Sequence, residues 1–449
     1  MNPALAPRNA IDAAPPTFVD GSADIARDAI AALARRTGDA LCASAHWNDE
    51  TNLCNWIARR DIEDREIAPY SERTAALSPE LYSGSAGVAL FLAELHAETG
   101  DATHARTALG AWHRSVHVLR RQRTPAPPFS FYAGHLGVAH AGTRLMRALP
   151  GRADALQQDV QWLIDAAVSA RDVPHGLDQI GGNAGAIAPL IALGDALDRK
   201  DCLEAAHALG DEIVDKARWQ GDLCFWDFEK VHGVEMDSPP MTGFSHGASG
   251  IALGLLELHA RTGDLRHLRA ARGAFAFEHA LFDERAGNWI DTRYPHHKHD
   301  GRIGGVCRSA WCHGAPGIAL ALVRAAKLDP AHAEEHLRYG RIAIGSTLAF
   351  LEQRRREPLT DATLCHGACG LSEIVFVCGQ LLDDAALIEA ASSFMHDFAL
   401  RHPHPGRWPS GLTTHAPTVG LMIGDAGVGL HALRVATGGE APSVLLLQA

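Results

Sequence analysis

Seven short segments of the chain are apolar on nearly every side, and each follows the same pair of glycines. The pattern is G-x-x-G followed by about 10–15 mostly apolar residues, as at 88–95 and 251–258. A segment of this length that is hydrophobic all round is typical of a buried helix. The first glycines recur at a mean spacing of about 57 residues, which indicates an internal repeat. They are Gly84, Gly134, Gly182, Gly247, Gly314, Gly367 and Gly424.

Longer amphipathic segments separate the apolar ones. Their apolar residues recur at roughly i, i+3, i+4 and i+7, with Arg, Glu and Asp elsewhere, which predicts helices with one buried face. Each repeat is therefore expected to contain one buried helix and one half-exposed helix. The clearest amphipathic segments are 104–123, 155–172, 202–218, 264–283 and 336–355.

Helix pairs of this kind stack either into an open superhelix or into a closed ring. An open solenoid usually has shorter, more uniform repeats and polar end caps, whereas all seven inner segments here are thoroughly apolar. We therefore predict an all-α fold, a toroid of seven helical hairpins with inner and outer rings of helices. Residues 22–47 predict a further outer helix for the first or last repeat. Residues 1–20 are expected to be mobile, and residues 21–449 to form a single domain.

Charge and composition argue against several classes of function. The 449 residues include 41 basic and 53 acidic side chains, a formal net charge of −12, so nucleic acid is not an expected partner. No apolar stretch approaches about 20 residues, which predicts that no helix spans a membrane. The N-terminal residues lack the apolar core of a secretory signal, and the nine cysteines are few and odd in number. We therefore expect a cytoplasmic protein with reduced thiols.

If the inner helices all begin at one end of the ring, the residues just before each first glycine converge on a shared cavity. In two consecutive repeats these residues are Cys-His pairs, Cys312-His313 and Cys365-His366. Thiolate and imidazole are ligands that zinc favours, and three protein ligands with an open fourth position are typical of a catalytic site. The structural alternative is that the cysteines are small core residues and the histidines are inherited with the repeat. Two such pairs at equivalent places favour zinc.

Three further residues are candidates for chemistry at the same end of the ring. His246 occupies the place of the pair histidines one repeat earlier, and is either a general acid or base or a structural histidine at a helix start. Asp178 precedes Gly182 by four residues and could orient His246 from the neighbouring repeat, or cap a helix. Arg308 lies four residues before Cys312 and could contact a developing oxyanion or make a surface ion pair.

These segments resemble a known family, the lanthionine synthetase C-like cyclases. The resemblance covers roughly residues 80–449. It is most specific in three segments, which are 243–250, 308–317 and 364–367. Two earlier segments, 46–56 and 77–82, look like the start of the cyclase half of the bifunctional lanthionine synthetases. No dehydratase half precedes them in this sequence, so a separate dehydratase is an expected partner.

The resemblance implies an α/α toroid of seven helical hairpins that holds one zinc ion. Matched motif by motif, it implies Cys312, Cys365 and His366 as the zinc ligands. This chain departs from the family at His313, because Tyr commonly follows the first ligand cysteine. His313 could therefore compete as a ligand or replace the hydroxyl group.

The resemblance also implies a reaction and its residues. His246 and Asp178 match the family's catalytic His and Asp, and Arg308 matches its active-site arginine. The implied activity is that of a zinc-dependent lanthipeptide cyclase acting on a dehydrated precursor peptide. A cysteine thiol of the peptide adds to a dehydroalanine or dehydrobutyrine of the same peptide, in a Michael-type addition that closes a thioether ring.

Three other functions remain open from the sequence. A LanC-like enzyme could add glutathione to dehydroamino acids in proteins with the same zinc and the same residues. A non-catalytic, zinc-stabilised toroid could act as a binding scaffold. A glycan-active α/α toroid would need paired carboxylates at the mouth of the ring, where the repeats offer only Asp178 and Asp425.

Overall fold

The computed structural model describes residues 20–64, 68–122, 129–173, 175–227, 239–293, 298–299, 302–303 and 306–447. The segment expected to be mobile lies outside these residues, apart from Asp20. Fourteen α-helices lie within the described ranges. They are α1 (Asp20–Ser44), α2 (Ser85–Thr99), α3 (Ala102–Arg121), α4 (His135–Ala148), α5 (Ala153–Ser169), α6 (Ala184–Leu197), α7 (Lys200–Asp215), α8 (Ala248–Thr262), α9 (Leu265–Ala280), α10 (Ala315–Leu328), α11 (Ala333–Arg356), α12 (Ala368–Leu382), α13 (Ala385–Arg401) and α14 (Asp425–Ala436).

The helices form two concentric rings, which confirms the predicted toroid. Each even-numbered helix packs against the next even-numbered helix, and α14 packs against α2 to close the inner ring. Each odd-numbered helix from α3 to α13 packs outside the inner helix that precedes it, and α1 packs against α14 as the outer partner of the last repeat. The inner helices are buried on nearly all sides, as in α2 from Ser85 to Leu95, whereas α3 buries one face. Among the described helices, none has the length and apolarity needed to cross a bilayer.

Short antiparallel strands add to the helical rings, and the repeat pattern did not predict them. They lie in the connections that lead from an outer helix to the next inner one. The described strands are β1 (His46–Asn48), β2 (Leu53–Asn55), β3 (Ile57–Asp64), β4 (Ala68–Ala76), β5 (Arg218–Gln220), β6 (Leu223–Phe225), β7 (Phe282–Asp283), β8 (Asn288–Asp291), β9 (Lys298–His299), β10 (Arg302–Ile303) and β11 (Val306–Cys307). They pair as β1–β2, β3–β4, β5–β6, β9–β10 and a three-stranded β7–β8–β11 sheet.

The second glycine of each repeat is required by its own loop. A Cβ atom on Gly137 would overlap the carbonyl oxygen of Phe131, six residues earlier, and one on Gly317 would overlap that of Trp311. The same contact, with the carbonyl six residues earlier, recurs in the other five repeats. The glycine therefore lets the loop fold back tightly over the first turn of its inner helix. Any other residue at this position would have a Cβ atom that overlaps the carbonyl oxygen and pushes the loop away from the helix.

Backbone hydrogen bonds join the seven loops into a ring of their own at the mouth of the toroid. Each loop donates an N–H to a carbonyl of the next one, over distances of 2.7–3.1 Å. The links are Tyr82 to Tyr132, Phe131 to Gly185, Gln179 to Ser245, Ser245 to Cys312, Trp311 to Cys365, Cys365 to Met422 and Met422 to Tyr82. The chain of bonds returns to the loop where it began, so this loop ring fixes the seven loops at one depth.

At the opposite end, ion pairs link neighbouring inner helices. The Glu257 carboxylate on α8 accepts hydrogen bonds from Nε and Nη2 of Arg324 on α10, at 2.7 and 2.9 Å. Arg144 on α4 makes the same two-pronged contact with Glu94 on α2. The side chain of Glu257 is 2% exposed and that of Arg324 is 15% exposed, so water screens the pair poorly.

We expect Glu257→Ala to destabilise the protein, because it leaves the Arg324 guanidinium buried without its carboxylate. Breaking one partner of a buried pair costs about 3–5 kcal/mol, which urea unfolding measures. The double variant with Arg324→Leu should recover most of that loss. Glu284→Ala is the matched control, since Glu284 is exposed in a turn. Equal unfolding of Glu257→Ala and the control would show that the pair does not stabilise the ring.

Candidate metal and catalytic site

Three metal-binding side chains from two adjacent loops meet at the mouth of the toroid. The Sγ atoms of Cys312 and Cys365 and a ring nitrogen of His366 all lie within 4.8 Å of one another. The Sγ of Cys365 lies 3.3 Å from Nε2 of His366. The loop ring brings them together, because the backbone N–H of Trp311, which precedes Cys312, donates to the carbonyl of Cys365 in the next loop.

The donor set fits zinc. Two thiolates and one imidazole are ligands typical of zinc, with Zn–S near 2.3 Å and Zn–N near 2.0–2.1 Å. Donor atoms of one tetrahedral ion are therefore about 3.5–4 Å apart, a spacing that the cluster accommodates. The hydrogen bond from the Cys365 thiol, with that from His366, lowers the pKa of Cys312 despite its burial. One thiol of the pair is thus favoured as the thiolate that a metal requires.

His366 is held against the cluster by its surroundings. Oδ2 of Asp361 lies 4.0 Å from Nδ1 of His366, and a Cβ atom on Gly411 would lie only 2.7 Å from that nitrogen. Burial alone would lower the pKa of His366, but the hydrogen bond to Cys312 and the negative charge of the Cys312 thiolate raise that pKa. Gly411 thus allows the loop before α14 to close over the imidazole.

His313 does not join the three clustered ligands. It is 5% exposed, and its ring centroid lies 6.1 Å from that of His246. Burial lowers the pKa of His313 to about 4, so its ring is neutral at pH 7. Of the two histidines that follow a cysteine, the structure therefore places His366 with the two sulfur atoms and His313 beside His246.

His246 and Asp178 form a hydrogen-bonded pair between adjacent loops. Nδ1 of His246 lies 2.8 Å from Oδ2 of Asp178. The other carboxylate oxygen, Oδ1, accepts hydrogen bonds from the backbone N–H groups of Gly181 and Gly182 at 2.8 and 3.1 Å. Burial opposes charge on both groups, but the Asp178 carboxylate raises the pKa of His246, and His246 with these N–H groups lowers that of Asp178. Asp178 therefore both orients the histidine and caps its own loop.

Buried side chains fix the loops that carry these groups. The Glu278 carboxylate on α9 accepts hydrogen bonds from the N–H groups of Gly243 and Ser249, which flank His246, at 2.8 and 3.0 Å. Asn288 on β8 donates to the Arg308 carbonyl and accepts from the N–H of Ala315, at 2.9 and 2.7 Å. The loop that carries His246 is therefore fixed to α9, the loop that carries Cys312 is fixed to β8, and the two loops are joined to each other.

The clustered groups open onto one cavity of about 820 Å³. His246, Arg308, Cys312, Cys365 and His366 all contribute to its lining. The Arg308 side chain is 52% exposed, and its Nε lies 4.0 Å from Oδ2 of Asp291. Arg308 thus makes an ion-pair contact while it faces the cavity, so the two roles that the sequence left open for it are compatible.

Four lining or supporting residues were not identified from the sequence. Tyr82 occupies the aligned position of Cys312 and Cys365, and its hydroxyl contacts the Cys365 thiol, so the repeat alignment did contain a signal. Asp361 precedes Gly367 by six residues and so lies outside the aligned positions just before each first glycine. Asp291 ends β8 and Arg293 follows it, in the connection between α9 and α10 and outside the aligned positions just before each glycine.

Comparison with known proteins agrees with this arrangement. A family model described as lanthionine synthetase C-like protein matches residues 75–446. The chain belongs to the lanthionine synthetase C-like family. Its match begins just before the first inner helix and extends over all seven repeats.

A solved structure of nisin cyclase shares the fold of this family member. It superposes with a TM-score of 0.56 and 18% sequence identity, covering 80% of this chain and 88% of that chain. An unsaturated glucuronyl hydrolase specific for heparin gives a TM-score of 0.41 and 13% identity, covering 84% of this chain and 94% of that chain. At 18% identity, the likeness to nisin cyclase shows a shared fold, the helical toroid.

We expect the purified LanC-like protein to bind one zinc ion per chain through the cluster. Cys312→Ser and Cys365→Ser each remove a thiolate and should weaken zinc binding by about 100-fold or more, as measured by metal analysis after dialysis against a weak chelator. Cys307→Ser is the matched control, because Cys307 lines the same cavity outside the cluster. Full zinc content in either cluster variant would contradict the assignment.

Proposed function

We propose that this LanC-like protein is a zinc-dependent cyclase that forms thioether rings in a dehydrated peptide. The observation that carries the proposal is the shared cavity, which is lined by Cys312, Cys365 and His366 and by His246, the partner of Asp178. One group of residues suits the activation of a thiol, and the other suits the transfer of a proton. A Michael addition of a thiol to a dehydroamino acid needs both.

Cys312, Cys365 and His366 would hold the zinc ion. When bound there, zinc would supply a Lewis acid that lowers the pKa of a substrate thiol, which is about 8.5 when free. Two thiolate ligands and a neutral imidazole balance the charge of the ion. A substrate thiolate at this site therefore meets no excess positive charge that would suppress its nucleophilicity.

Proton transfer falls to His246 in this proposal. The sulfur attacks the β-carbon of the dehydroamino acid, a C–S bond forms, and the π electrons of the alkene move toward the carbonyl oxygen as an enolate. The His246 imidazolium then donates a proton to the α-carbon. Since Asp178 holds Nδ1, Nε2 is the nitrogen that would face the substrate. The proton lost by the thiol and the proton gained at carbon balance, so the product is an isomer of the substrate.

Arg308 would stabilise the developing enolate. Its guanidinium group lines the cavity. A fixed cation near the forming oxyanion lowers the barrier, because it is already oriented before the charge develops. Its contact with Asp291 restricts the range of the long side chain.

The His246–Asp178 pair favours catalysis over a scaffold role. A zinc-stabilised platform would need the three ligands but no hydrogen-bonded histidine and carboxylate in the same cavity. Addition of glutathione to a dehydroamino acid would use the same groups. The experiment below distinguishes it from ring closure.

The test combines the zinc-loaded protein with a synthetic peptide that contains one cysteine and one dehydroalanine. Ring closure changes no mass, so the products are treated with a thiol-alkylating reagent and analysed by mass spectrometry. A closed ring resists alkylation, whereas an open peptide gains the label. A parallel reaction with glutathione detects intermolecular addition as a mass increase. Absence of both products with zinc-loaded protein would refute the proposal.

We expect His246→Ala to keep its zinc and to close rings about 100-fold or more slowly, because the general acid is lost. Metal analysis and the alkylation assay measure the two effects separately. An unchanged rate would make His246 a structural residue.

Asp178→Asn should change the pH profile of ring closure. The carboxylate raises the pKa of His246, so its loss lowers that pKa. His246 acts when protonated, and the fall in rate on the alkaline side should therefore begin at lower pH in the variant. A purely structural role of Asp178 would lower the rate without moving the profile.

A further inference from the structure

A buried aspartate behind the cavity lining contacts two arginines beside the proposed reaction centre. Nε and Nη2 of Arg293 donate to Oδ1 and Oδ2 of Asp291 at 2.9 and 2.6 Å, a two-pronged contact. Nε of Arg308 lies 4.0 Å from Oδ2 of the same carboxylate. The Asp291 side chain is 3% exposed and lies in β8, where it pairs with Val306 of β11. The anchor of both arginines is therefore a buried, strand-fixed carboxylate.

This arrangement is suited to binding a second carboxylate. A guanidinium has five N–H donors in one plane and matches the geometry of carboxylates. The contact with Asp291 engages the Nε and Nη2 side of Arg293, and it fixes the plane of the group before any ligand arrives. Such pre-orientation reduces the conformational entropy that ligand binding would otherwise cost.

Arg293 and Arg308 line the cavity together with Cys312 and His246. A ligand bound by the two arginines would thus lie close to the reacting thiol.

The charge of the cavity contrasts with that of the whole chain. The described lining includes the guanidinium groups of Arg293, Arg308 and Arg354, and the carboxylate of Asp361. The chain as a whole has a formal net charge of −12. With Asp291 counted behind the lining, three guanidinium groups face two carboxylates, and this small positive excess favours anionic ligands.

We propose that Asp291, Arg293 and Arg308 form a carboxylate-binding site, which selects substrates that carry a carboxylate close to the reacting cysteine. The proposal rests on the proposed function and names its substrate class. Arg293 contacts the carboxylate, and Asp291 is a positioning residue that acts through the two arginines. The carboxylate can belong to an Asp or Glu side chain of a peptide or to a short free thiol such as glutathione.

Binding to the zinc-loaded protein tests the site without ring closure. N-acetylcysteine and its amide differ only in the carboxylate, and calorimetric titration compares their affinities. We expect wild-type protein to prefer the acid by roughly tenfold, since hydrogen bonds between charged groups are strong. Arg293→Gln should abolish the preference. Arg285→Gln, which removes an exposed arginine from the turn between β7 and β8, should retain it.

Two peptides extend the test to the proposed reaction. They contain one cysteine and one dehydroalanine and differ by a Glu or a Gln next to the cysteine. A lower KM for the Glu peptide in wild type but not in Arg293→Gln supports a peptide carboxylate. If the two peptides react alike, but the protein prefers N-acetylcysteine to its amide and glutathione to its ester, the bound carboxylate belongs to a short thiol.

Two conservative variants separate positioning from charge. Arg293→Lys keeps the charge but loses the planar fork, and should reduce the preference. Asp291→Asn should reduce it as well, although the cations remain, because their orientation is lost. An equal affinity for acid and amide in wild type, or a preference that survives Arg293→Gln, would overturn the carboxylate site. Failure of wild type to close either peptide would instead overturn the proposed function, and the titrations would still decide the site.

Discussion

The closed ring of backbone hydrogen bonds between the seven mouth loops is the constraint on which the site depends. Side chains from different repeats can share one metal or one proton only if their loops are held at the same depth. The bonds that link Ser245, Cys312, Cys365 and Met422 impose that depth through the main chain. Because these bonds do not involve side chains, the residues at the same positions can vary without disturbing the ring.

The same constraint separates stability from chemistry. Inner-helix packing and the buried pairs such as Glu257–Arg324 stabilise the end of the toroid away from the loops. At the mouth, the tight loops need the second glycine of each repeat. There His246 is hydrogen-bonded to Asp178, and the N–H of Gly243 donates to the side chain of Glu278. At the mouth, polar groups with fixed partners therefore line a cavity, whereas at the opposite end charged groups form ion pairs between helices.

Repetition explains how much of the structure could be predicted from the sequence. Residues at equal positions in a repeat occupy equal depths in a ring, so Cys312 and Cys365 could be placed together, and the buried and half-exposed helices could be distinguished. The repeat could not predict what it does not contain. Hairpins like β7–β8 also occur before α2 and α8, but among the described residues only the connection between α9 and α10 adds a third strand, β11, which pairs with Asp291. The sequence also does not show why the second glycine is needed, because the atom that Gly137 would clash with is a backbone carbonyl oxygen of its own loop.

In our proposal, the connection between α9 and α10 gives this member of the family its substrate preference. The repeats supply the ring, the metal-binding cluster and the His246–Asp178 pair, which suit any thiol and any acceptor. In our proposal, the thiol is selected by the wall around them. There Arg293 and Arg308 lie just beyond the ends of β8 and β11, beside the buried carboxylate of Asp291. In a closed ring, an insertion that reaches the mouth contacts the substrate without altering the spacing of the loops, so selectivity can change while the reaction centre stays fixed.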